Sequence, residues 1–573
     1  MVEKIFVREY LENLKEDGEL DKIFTILLEV MDFQVVANPK ASKGQSQYGK
    51  DVVAVGKAEN GVKYRWYFEV KGYADRDVNQ TTFTKKDGIR ESLIESIDAP
   101  YIHKGLPNFE KLPIKYILVH NGVVKENFKH HFNGFIGKNF KDNEFEDWDI
   151  FKLTDLFYKY LFGEYLLTEP ETAKLFKRIL IFLDVPDYDF DDLKKLLVEI
   201  INQYKQKPNP RKLKKLFSTI NLIALIIWHY CRASGNLYPA KYAISYLVLN
   251  TWAFILSEKS EKKPSYQTEF LKVLRTQFNF YVEYFNKTLN FARYPNGLFS
   301  NEGFSFEPIG YPLRAFEYID DFMYFCLLSD LFVDGGFQTN PRYIREQKEL
   351  IKDIVRNNED GLCRPILDNH LIPILHLFFF FTYQNPKFSQ EDYTFLSKYL
   401  FDCFTQIHYR LMSKDTMPYC NQQIEPLIEF EATGMKPFNY SDKSSLLLPI
   451  LFELTALLKL EDIYYNFREI FYKRVNMQIA YPHFNAISDF EVRFFSKHLD
   501  NEYWVDCGIK LPEDFEEFRK EIMNNPLDNH KFKTEEQKLG LLKFLAQSFY
   551  KNEPFPEEWR GLFRIFDFNI SGK

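Results

Sequence analysis

The sequence predicts an α/β domain at the N-terminus, followed by a larger region that is mostly α-helical. Between residues 20 and 162, short apolar stretches of strand type alternate with stretches whose apolar residues recur at helical spacing. After Leu167 the strand-like alternation fades and helical periodicity dominates. A chain of 573 residues is too long for one hydrophobic core. We therefore expect an α/β domain over 1–167 and a helical region over 168–573, which a break near 258–264 or 291–312 divides into two subdomains.

Strands and helices are interleaved in the N-terminal part. The first predicted helix covers 20–31, where apolar residues fall at positions i, i+3, i+4 and i+7. A polar loop over 39–49 and the turn signal Glu59-Asn60-Gly61 separate the first three strands. The remaining predictions are strands at 33–36, 51–55, 64–71, 114–119 and 148–151, and helices within 88–97, 125–135 and 154–161.

Three charged residues stand at the ends of two predicted strands. Asp51 opens one strand, and Glu69 and Lys71 close the next, with 18 positions between Asp51 and Glu69. Because strand side chains alternate, Glu69 and Lys71 project from the same face, and Asp51 meets them at the strand ends. Two carboxylates and an ammonium that converge in this way can bind a divalent metal and activate a water against a phosphodiester. An isolated Glu-x-Lys pair would instead be a solvated strand face.

The order of elements and these motifs together resemble the restriction-endonuclease-like PD-(D/E)xK superfamily, most closely its Mrr-like branch. The resemblance covers roughly residues 17–162. Four segments stand where that branch has its motifs, and the family motif is given in parentheses after each. They are Leu20-Asp21 (Phe-Glu), Asp32-Phe33-Gln34-Val35 (Gly-Phe-x-Val), Gly49-Lys50-Asp51 (Gly-x-Asp) and Glu69-Val70-Lys71 ((Glu/Gln)-x-Lys). The chain departs from the family pattern in having Asp32 for glycine, Asp21 for glutamate and a long loop over 37–48.

The resemblance implies a central mixed sheet flanked by helices and a metal-dependent endonuclease that hydrolyses DNA. Asp51, Glu69 and the backbone carbonyl of Val70 would bind Mg²⁺ or Mn²⁺, which prefer oxygen ligands. Lys71 would orient the attacking water or offset phosphate charge. Asp21 would hold a second metal or a water. Two structural roles stay open, a helix-start acid for Asp21 and a strand-edge lysine that prevents aggregation for Lys71.

The charge distribution favours a nucleic-acid partner for the N-terminal part. Residues 33–140 hold 17 Lys and Arg against 11 Asp and Glu, a net charge of +6, whereas the rest of the chain carries −13. A basic module in an acidic chain is expected to contact a phosphate backbone, although basic loops are also common solvated surfaces. The predicted nucleic-acid-binding residues are Lys43, Gln45, Gln47, Lys50, Lys85, Lys86 and Arg90.

The spacing of the cysteines and the length of the apolar runs predict a cytoplasmic protein. The six cysteines lie far apart without a Cys-x-x-Cys pair, which is typical of a reducing cytoplasm and argues against a zinc module. The N-terminus does not resemble a secretory signal. We expect no apolar run to reach the roughly 18 residues that cross a membrane. The most apolar stretch, 371–381, is predicted to be a buried core helix.

The helical region resembles no family and shows no fixed repeat period. Helices are predicted at 171–182, 190–203, 211–229, 239–257, 265–289, 319–331, 343–356, 390–410, 443–459 and 536–549. The stretches 291–312 and 413–435 are predicted to be irregular.

A nuclease domain fused to an unfamiliar helical region resembles prokaryotic restriction and anti-phage defence effectors. In such effectors the appended region senses a trigger, binds a protein partner or forms a homo-oligomer. The chain lacks a phosphate-binding Gly-x-x-x-x-Gly-Lys-(Ser/Thr) loop, which argues against an ATP-driven translocase. Two alternatives remain open, a non-catalytic nucleic-acid-binding scaffold that retains a nuclease fold, and an RNA-cleaving nuclease.

Overall fold

A computed structural model gives the fold of this chain. It describes residues 2–37, 49–58, 60–102, 106, 108–162, 166, 170–186, 188–299, 307–332, 341–383, 388–421, 423–443, 445–474, 481–482, 489–499, 504–505, 511–524 and 531–562.

The N-terminal part forms a sheet with helices on both faces. Its elements in chain order are α1 (Val2–Glu12), α2 (Asp21–Val30), β1 (Gln34–Ala37), β2 (Val52–Lys57), β3 (Lys63–Lys71), α3 (Gln80–Thr84), α4 (Ile89–Asp98), β4 (Ile114–His120), α5 (Lys129–Asn139), β5 (Phe145–Trp148) and α6 (Ile150–Phe157). A π-helical turn over Glu16–Leu20 precedes α2, and a second one over Tyr158–Phe162 follows α6.

The five strands form one mixed sheet in the order β1-β2-β3-β4-β5. The pairs β1–β2 and β2–β3 are antiparallel, whereas β3–β4 and β4–β5 are parallel. The β2–β3 ladder begins at Val52, which pairs with Phe68, and Asp51 immediately precedes it, with its N–H bonded to the Phe68 carbonyl. At the same end of the sheet, Lys71 lies beside His120 of β4. The expected mixed sheet flanked by helices is confirmed.

The two faces of the sheet bury different helices. Tyr67 and Leu118 pack in a cluster with Phe83 of α3, Leu93 of α4 and Phe132 of α5. We call this side of the sheet the α4 face. On the opposite face, the ring of Phe68 lies 5.1 Å from that of Phe24 in α2. Because side chains alternate along β3, Glu69 and Lys71 share the α4 face with Tyr67.

The remainder of the described chain is largely helical, as expected. The helices are α7 (Pro170–Phe182), α8 (Asp191–Gln206), α9 (Pro210–Ser234), α10 (Tyr238–Ser257), α11 (Pro264–Ala292), α12 (Glu307–Phe332), α13 (Pro341–Asn357), α14 (Glu359–Leu362), α15 (Leu371–Tyr383), α16 (Gln390–Lys414), α17 (Glu425–Thr433), α18 (Leu447–Leu458), α19 (Glu461–Arg474), α20 (Phe490–Phe494), α21 (Phe515–Asn524), α22 (Lys533–Glu536), α23 (Leu541–Tyr550) and α24 (Pro556–Arg560). Two short antiparallel strands, β6 (Tyr481–Pro482) and β7 (Trp504–Val505), pair with each other.

The contacts group the chain into two compact units, residues 1–243 and residues 244–573. Helices α7 to α9 therefore belong to the same unit as the sheet. Residue 167 separates the part of the chain that contains the sheet from the part that is mostly helical. That a domain boundary lies there stays a prediction. In the second unit, Glu453 of α18 is buried and accepts two hydrogen bonds from the Arg560 guanidinium, at 2.7 and 2.8 Å.

Three local predictions are wrong. The strand predicted at 148–151 ends at Trp148, because the Asp149 side chain accepts the Lys152 backbone N–H and so caps the start of α6. The stretch 291–312 contains the start of α12, which accommodates Pro312 in its second turn. The stretch 413–435 contains α17. In the last two cases, tertiary packing outweighs the proline and glycine signals on which the loop predictions rested.

One described helix, α9, is long and apolar enough to cross a membrane, contrary to the expectation from the sequence. Its most apolar 18-residue window is 72% buried inside the protein, as in the core helix of a globular unit. Helix α15 covers the Phe-rich stretch, which is buried as predicted.

Candidate active site

Asp51 is fixed at the start of β2 by two backbone hydrogen bonds. Its N–H donates to the Phe68 carbonyl at 2.9 Å. Its Oδ2 accepts the Val70 N–H at 2.8 Å. The chain reaches Asp51 through Gly49, which has a φ of +66° and lies against the Ser92 carbonyl of α4. The carboxylate is therefore held at the end of β2 by its own strand and by β3.

Glu69 and Lys71 form a buried ion pair on the α4 face. The Lys71 Nζ lies 2.7 Å from Glu69 Oε1 and 3.3 Å from Glu16 Oε1. Glu69 is only 4% exposed. The predicted residues Asp51, Glu69 and Lys71 are thus brought together, and Glu16 joins them from the π-helical turn before α2.

The site has more carboxyl groups than ammonium groups. Burial is the main factor that raises the pKa of Asp51, and the charges of Glu69 and Glu16 add to it. The Lys71 ammonium and the Val70 N–H oppose the shift, but the pKa stays well above its usual value. Burial lowers the pKa of Lys71, but the charges of Glu69, Asp51 and Glu16 outweigh it and raise the pKa above its usual value. The ammonium is therefore retained at neutral pH, and the carboxylates favour an additional cation.

The donor atoms fit a hard divalent cation. Asp51 and Glu69 lie close together at the end of the β2–β3 pair, since Asp51 Oδ2 accepts the N–H of Val70, the residue after Glu69. The N–H and C=O of a residue in an antiparallel ladder point to the same neighbouring strand, so the Val70 carbonyl lies on the Asp51 side of β3. Among the residues that the structure describes, no three His, Cys, Asp or Glu side chains form a ready-made cation cage. Mg²⁺ needs only one or two carboxylates because it keeps several waters.

Lys50 was predicted to contact nucleic acid but is 5% exposed. Its Nζ lies 5.4 Å from the centre of the Tyr67 ring, on the α4 face. Burial is the main factor that lowers its pKa to about 8, although the charges of Glu69 and Glu95 oppose the shift. Lys50 is therefore a neighbour of the carboxylate site rather than an exposed contact for the phosphate backbone.

Three other predicted nucleic-acid-binding residues line one groove. Lys85, Lys86 and Arg90 surround a cavity of about 540 Å³ between α3 and α4, together with Glu91 and Glu95. Gly49, two residues before Asp51, lies against Ser92 of α4, and α4 also lines the groove, so the groove adjoins the carboxylate site. The other three predicted residues, Lys43, Gln45 and Gln47, lie outside the described residues.

Glu16 is the first residue of the π-helical turn and Asp21 directly follows it, and the two carboxylates have different partners. Asp21 begins α2, and its carboxylate accepts the Lys22 backbone N–H at 2.6 Å. Glu16, four residues after Glu12 of α1, is the acid that contacts Lys71. Sequence reasoning missed Glu16, although the acidic run Glu16-Asp17-Gly18-Glu19 before the first predicted helix was a visible signal. The catalytic role of Asp21 stays a prediction.

No family model matches this chain. No curated protein and no solved structure matches it either.

His120, which sequence reasoning also missed, is fully buried beside Lys71 at the end of β4. Its Nε2 lies 2.9 Å from Asp147 Oδ1, and its Nδ1 lies 2.8 Å from the Arg76 carbonyl. Both ring nitrogens face acceptors, so the imidazolium form satisfies both contacts. Burial lowers the pKa of His120, but Asp147, the Arg76 carbonyl and Asp149 outweigh it and raise the pKa above its usual value.

We expect His120 to make stability depend on pH. A group whose pKa is raised in the folded state contributes its full stabilisation below the unfolded value of about 6.5 and loses it as the pH rises through the folded value. The difference in unfolding free energy between the native chain and a His120→Gln variant should therefore be larger near pH 6 than near pH 9, measured by urea denaturation. A difference that is constant with pH would show that His120 is neutral throughout.

Proposed function

We propose that the N-terminal sheet carries the active site of a Mg²⁺- or Mn²⁺-dependent endonuclease that hydrolyses DNA phosphodiester bonds. One observation carries this proposal. At the end of β3, the Asp51 carboxylate accepts the N–H of Val70, the residue between Glu69 and Lys71, and Glu69 is paired with the Lys71 ammonium. This is the arrangement that the resemblance to PD-(D/E)xK nucleases implies for these residues.

Each residue of the candidate site would have a separate role. Asp51, Glu69 and the Val70 carbonyl would hold the metal ion. When bound, the metal lowers the pKa of an attacking water and stabilises charge on the phosphate. Lys71, fixed by Glu69 and Glu16, would orient that water or offset charge on the phosphate oxygens.

The groove beside the site supports a nucleic-acid substrate. Lys86 and Arg90 are exposed, and the Lys85 ammonium is paired with Asp75 at 2.6 Å. Cations on one side of a carboxylate site are suited to the phosphates that flank a scissile bond. The groove would thus guide the DNA strand toward Asp51.

The wider role that we propose is a cytoplasmic restriction or anti-phage defence effector. The helices after residue 167 would sense a trigger, bind a protein partner or form a homo-oligomer, and no membrane would be involved.

One observation favours a second function, a nucleic-acid-binding scaffold without catalysis. Asp51 Oδ2 is already bonded to the Val70 N–H, and Glu69 Oε1 to the Lys71 ammonium. Carboxylates that already have hydrogen-bond partners within the protein can stabilise the fold without binding a metal ion. RNA cleavage is a third outcome, because the proposed metal chemistry would act on the phosphate, which DNA and RNA share.

Cleavage of supercoiled plasmid by the full-length protein tests the proposal. We expect nicking with Mg²⁺ or Mn²⁺, none with EDTA, and at least a 100-fold loss in Glu69→Ala, because a metal ligand is removed. Glu126→Ala changes an exposed glutamate of the same unit and should leave the rate unchanged.

Plasmid binding without cleavage, insensitive to metal and to Glu69→Ala, would contradict the proposal in favour of the scaffold. Cleavage of RNA but not of plasmid would change the substrate to RNA.

A further inference from the structure

The π-helical turn over Glu16–Leu20 connects the candidate active site to helix α9. The turn is closed by the Leu20 N–H, which donates to the Lys15 carbonyl at 2.9 Å. Single π-helical turns are rare and occur frequently at functional sites. This turn carries Glu16 on one side and Glu19 on the other, and the two carboxylates bind different parts of the unit.

On one side the turn lies against the end of β3. Glu16 Oε1 is 3.3 Å from the Lys71 Nζ. The residue after Lys71 is Gly72, where an added Cβ would lie 2.8 Å from the Glu16 backbone nitrogen. Backbone and side chain of Glu16 are therefore both in contact with the strand that carries Glu69 and Lys71.

On the other side the turn is bonded to α9. Glu19 is 8% exposed, and its carboxylate contacts the Arg232 guanidinium and lies 3.6 Å from His229 Nδ1. The Lys15 backbone N–H donates to Glu19 Oε2 at 2.8 Å. Burial raises the pKa of Glu19, but His229, the Lys15 N–H and Arg232 outweigh it and lower the pKa to about 2. Glu19 is therefore a fixed anion at neutral pH.

The partners of Glu19 are themselves held in place. The Arg232 guanidinium stacks 4.7 Å from the Trp228 ring centre, one turn earlier in α9. The His229 ring lies edge-on to Tyr10 of α1, with ring centres 5.7 Å apart. Arg232 thus presents its charge to Glu19 from a packed position, and a planar guanidinium held in this way loses little freedom on pairing.

We propose that Arg232 is a positioning residue, which acts through Glu19 to hold the π-helical turn so that Glu16 stays beside Lys71. The inference rests on the proposed nuclease function, and it gives α9 a role in that function. Helix α9 lies beyond residue 167, outside the part of the chain that resembles the nuclease family. If Glu19 loses Arg232, the turn is free to relax, and the Lys71 ammonium loses one of its two carboxylate contacts.

The test is a double-mutant cycle in the full-length protein. We expect Arg232→Gln to lower kcat for metal-dependent plasmid cleavage about 10- to 100-fold with little change in KM, the range seen when a supporting partner of a metal site is removed. In a Glu16→Gln background, Arg232→Gln should cause no further loss, because its effect passes through Glu16. Arg232→Lys, which retains the charge, should recover most of the rate. Lys4→Gln removes an exposed ion pair to Asp155 in the same unit and is the control.

A second measurement does not depend on cleavage. Hydrogen exchange followed by mass spectrometry should show at least tenfold faster exchange in residues 13–20 of Arg232→Gln, with the strands unchanged. If Arg232→Gln does not fold, Glu19→Gln with Arg232→Met removes both charges and leaves no ion unpaired.

Equal losses from Arg232→Gln in the native and Glu16→Gln backgrounds would overturn the inference, as would unchanged exchange in residues 13–20. If the native chain does not cleave but residues 13–20 still open in Arg232→Gln, the proposed function fails while the contact between α9 and the turn stands.

Discussion

Exchanging Lys71 for methionine should slow metal-dependent plasmid cleavage about 10²- to 10³-fold, the loss seen when one charge-stabilising donor is removed from an active site. Methionine keeps most of the apolar stem of lysine but cannot donate to a water or to a phosphate oxygen. The ammonium is the cation that contacts both Glu69 and Glu16. Its loss therefore removes the group that would orient the reacting water. The rate would be measured under saturating Mg²⁺, with folding checked by circular dichroism.

Lys115→Met is the matched control for this change. Lys115 is also a buried lysine of the sheet, with 10% of its side chain exposed against 11% for Lys71. It pairs with Glu146 at 2.6 Å, but lies beside Trp66, toward the opposite end of β3 from Lys71. We expect Lys115→Met to lose stability and to keep its cleavage rate per folded molecule. Similar rate losses in both variants would show that Lys71 supports the fold rather than the reaction.

Removing the Lys71 charge should also change the pH dependence of stability. Without the ammonium, which opposes the shift, the pKa of Asp51 rises further in the folded state. The folded state then binds more protons than the unfolded state, so the stability of Lys71→Met should fall as the pH rises. The deficit relative to the native protein should be larger near pH 8 than near pH 5 in metal-free buffer. A deficit that does not change with pH would contradict the close approach of Asp51, Glu69 and Glu16.

Gly49→Ala should destabilise the protein by more than about 2 kcal/mol and abolish cleavage. The φ of +66° at Gly49 is left-handed, which costs a residue with a side chain about 1–2 kcal/mol. An added Cβ would also lie 1.7 Å from the Ser92 carbonyl oxygen, which belongs to the backbone and cannot rotate away. The chain must shift, and Asp51 lies two residues further on. A displacement of about 1 Å in an active site can cost 100-fold in rate.

Gly61→Ala separates the clash from the backbone strain. Gly61 has a similar φ of +79°, but an added Cβ meets no atom within 4 Å. This variant should lose only about 1–2 kcal/mol and retain the cleavage rate. Urea denaturation of both variants measures the difference. Equal destabilisation would mean that Ser92 does not limit the space at Gly49.

The core of the candidate site was predictable from local rules. Glu69 and Lys71 are two positions apart on an apolar strand, so they must share a face. Asp51 opens the strand that precedes it, and consecutive strands usually pair. These two rules are enough to bring the three side chains together, and in the structure Asp51 Oδ2 accepts the N–H of Val70, the residue between Glu69 and Lys71.

Other parts of the site depend on contacts that strand alternation does not define. Glu16 reaches Lys71 across 55 positions of sequence. His120 meets Asp147 because β4 and β5 are parallel neighbours, which fixes their ends at the same edge of the sheet. Lys50 looked like an exposed basic residue, yet the approach of Gly49 to α4 buries it against Tyr67.

The sequence alone determined the periodicity of each segment, and with it the mixed α/β part, the helical remainder and the Asp51–Glu69–Lys71 grouping. Only the tertiary structure decided that α9 belongs to the same compact unit as the sheet, and that Arg232 meets Glu19 over 213 positions. Periodicity records which face of a helix or strand is apolar, because burial of that face is a local requirement. Which element covers that face depends on the packing of the whole unit. A local sequence pattern does not contain this information.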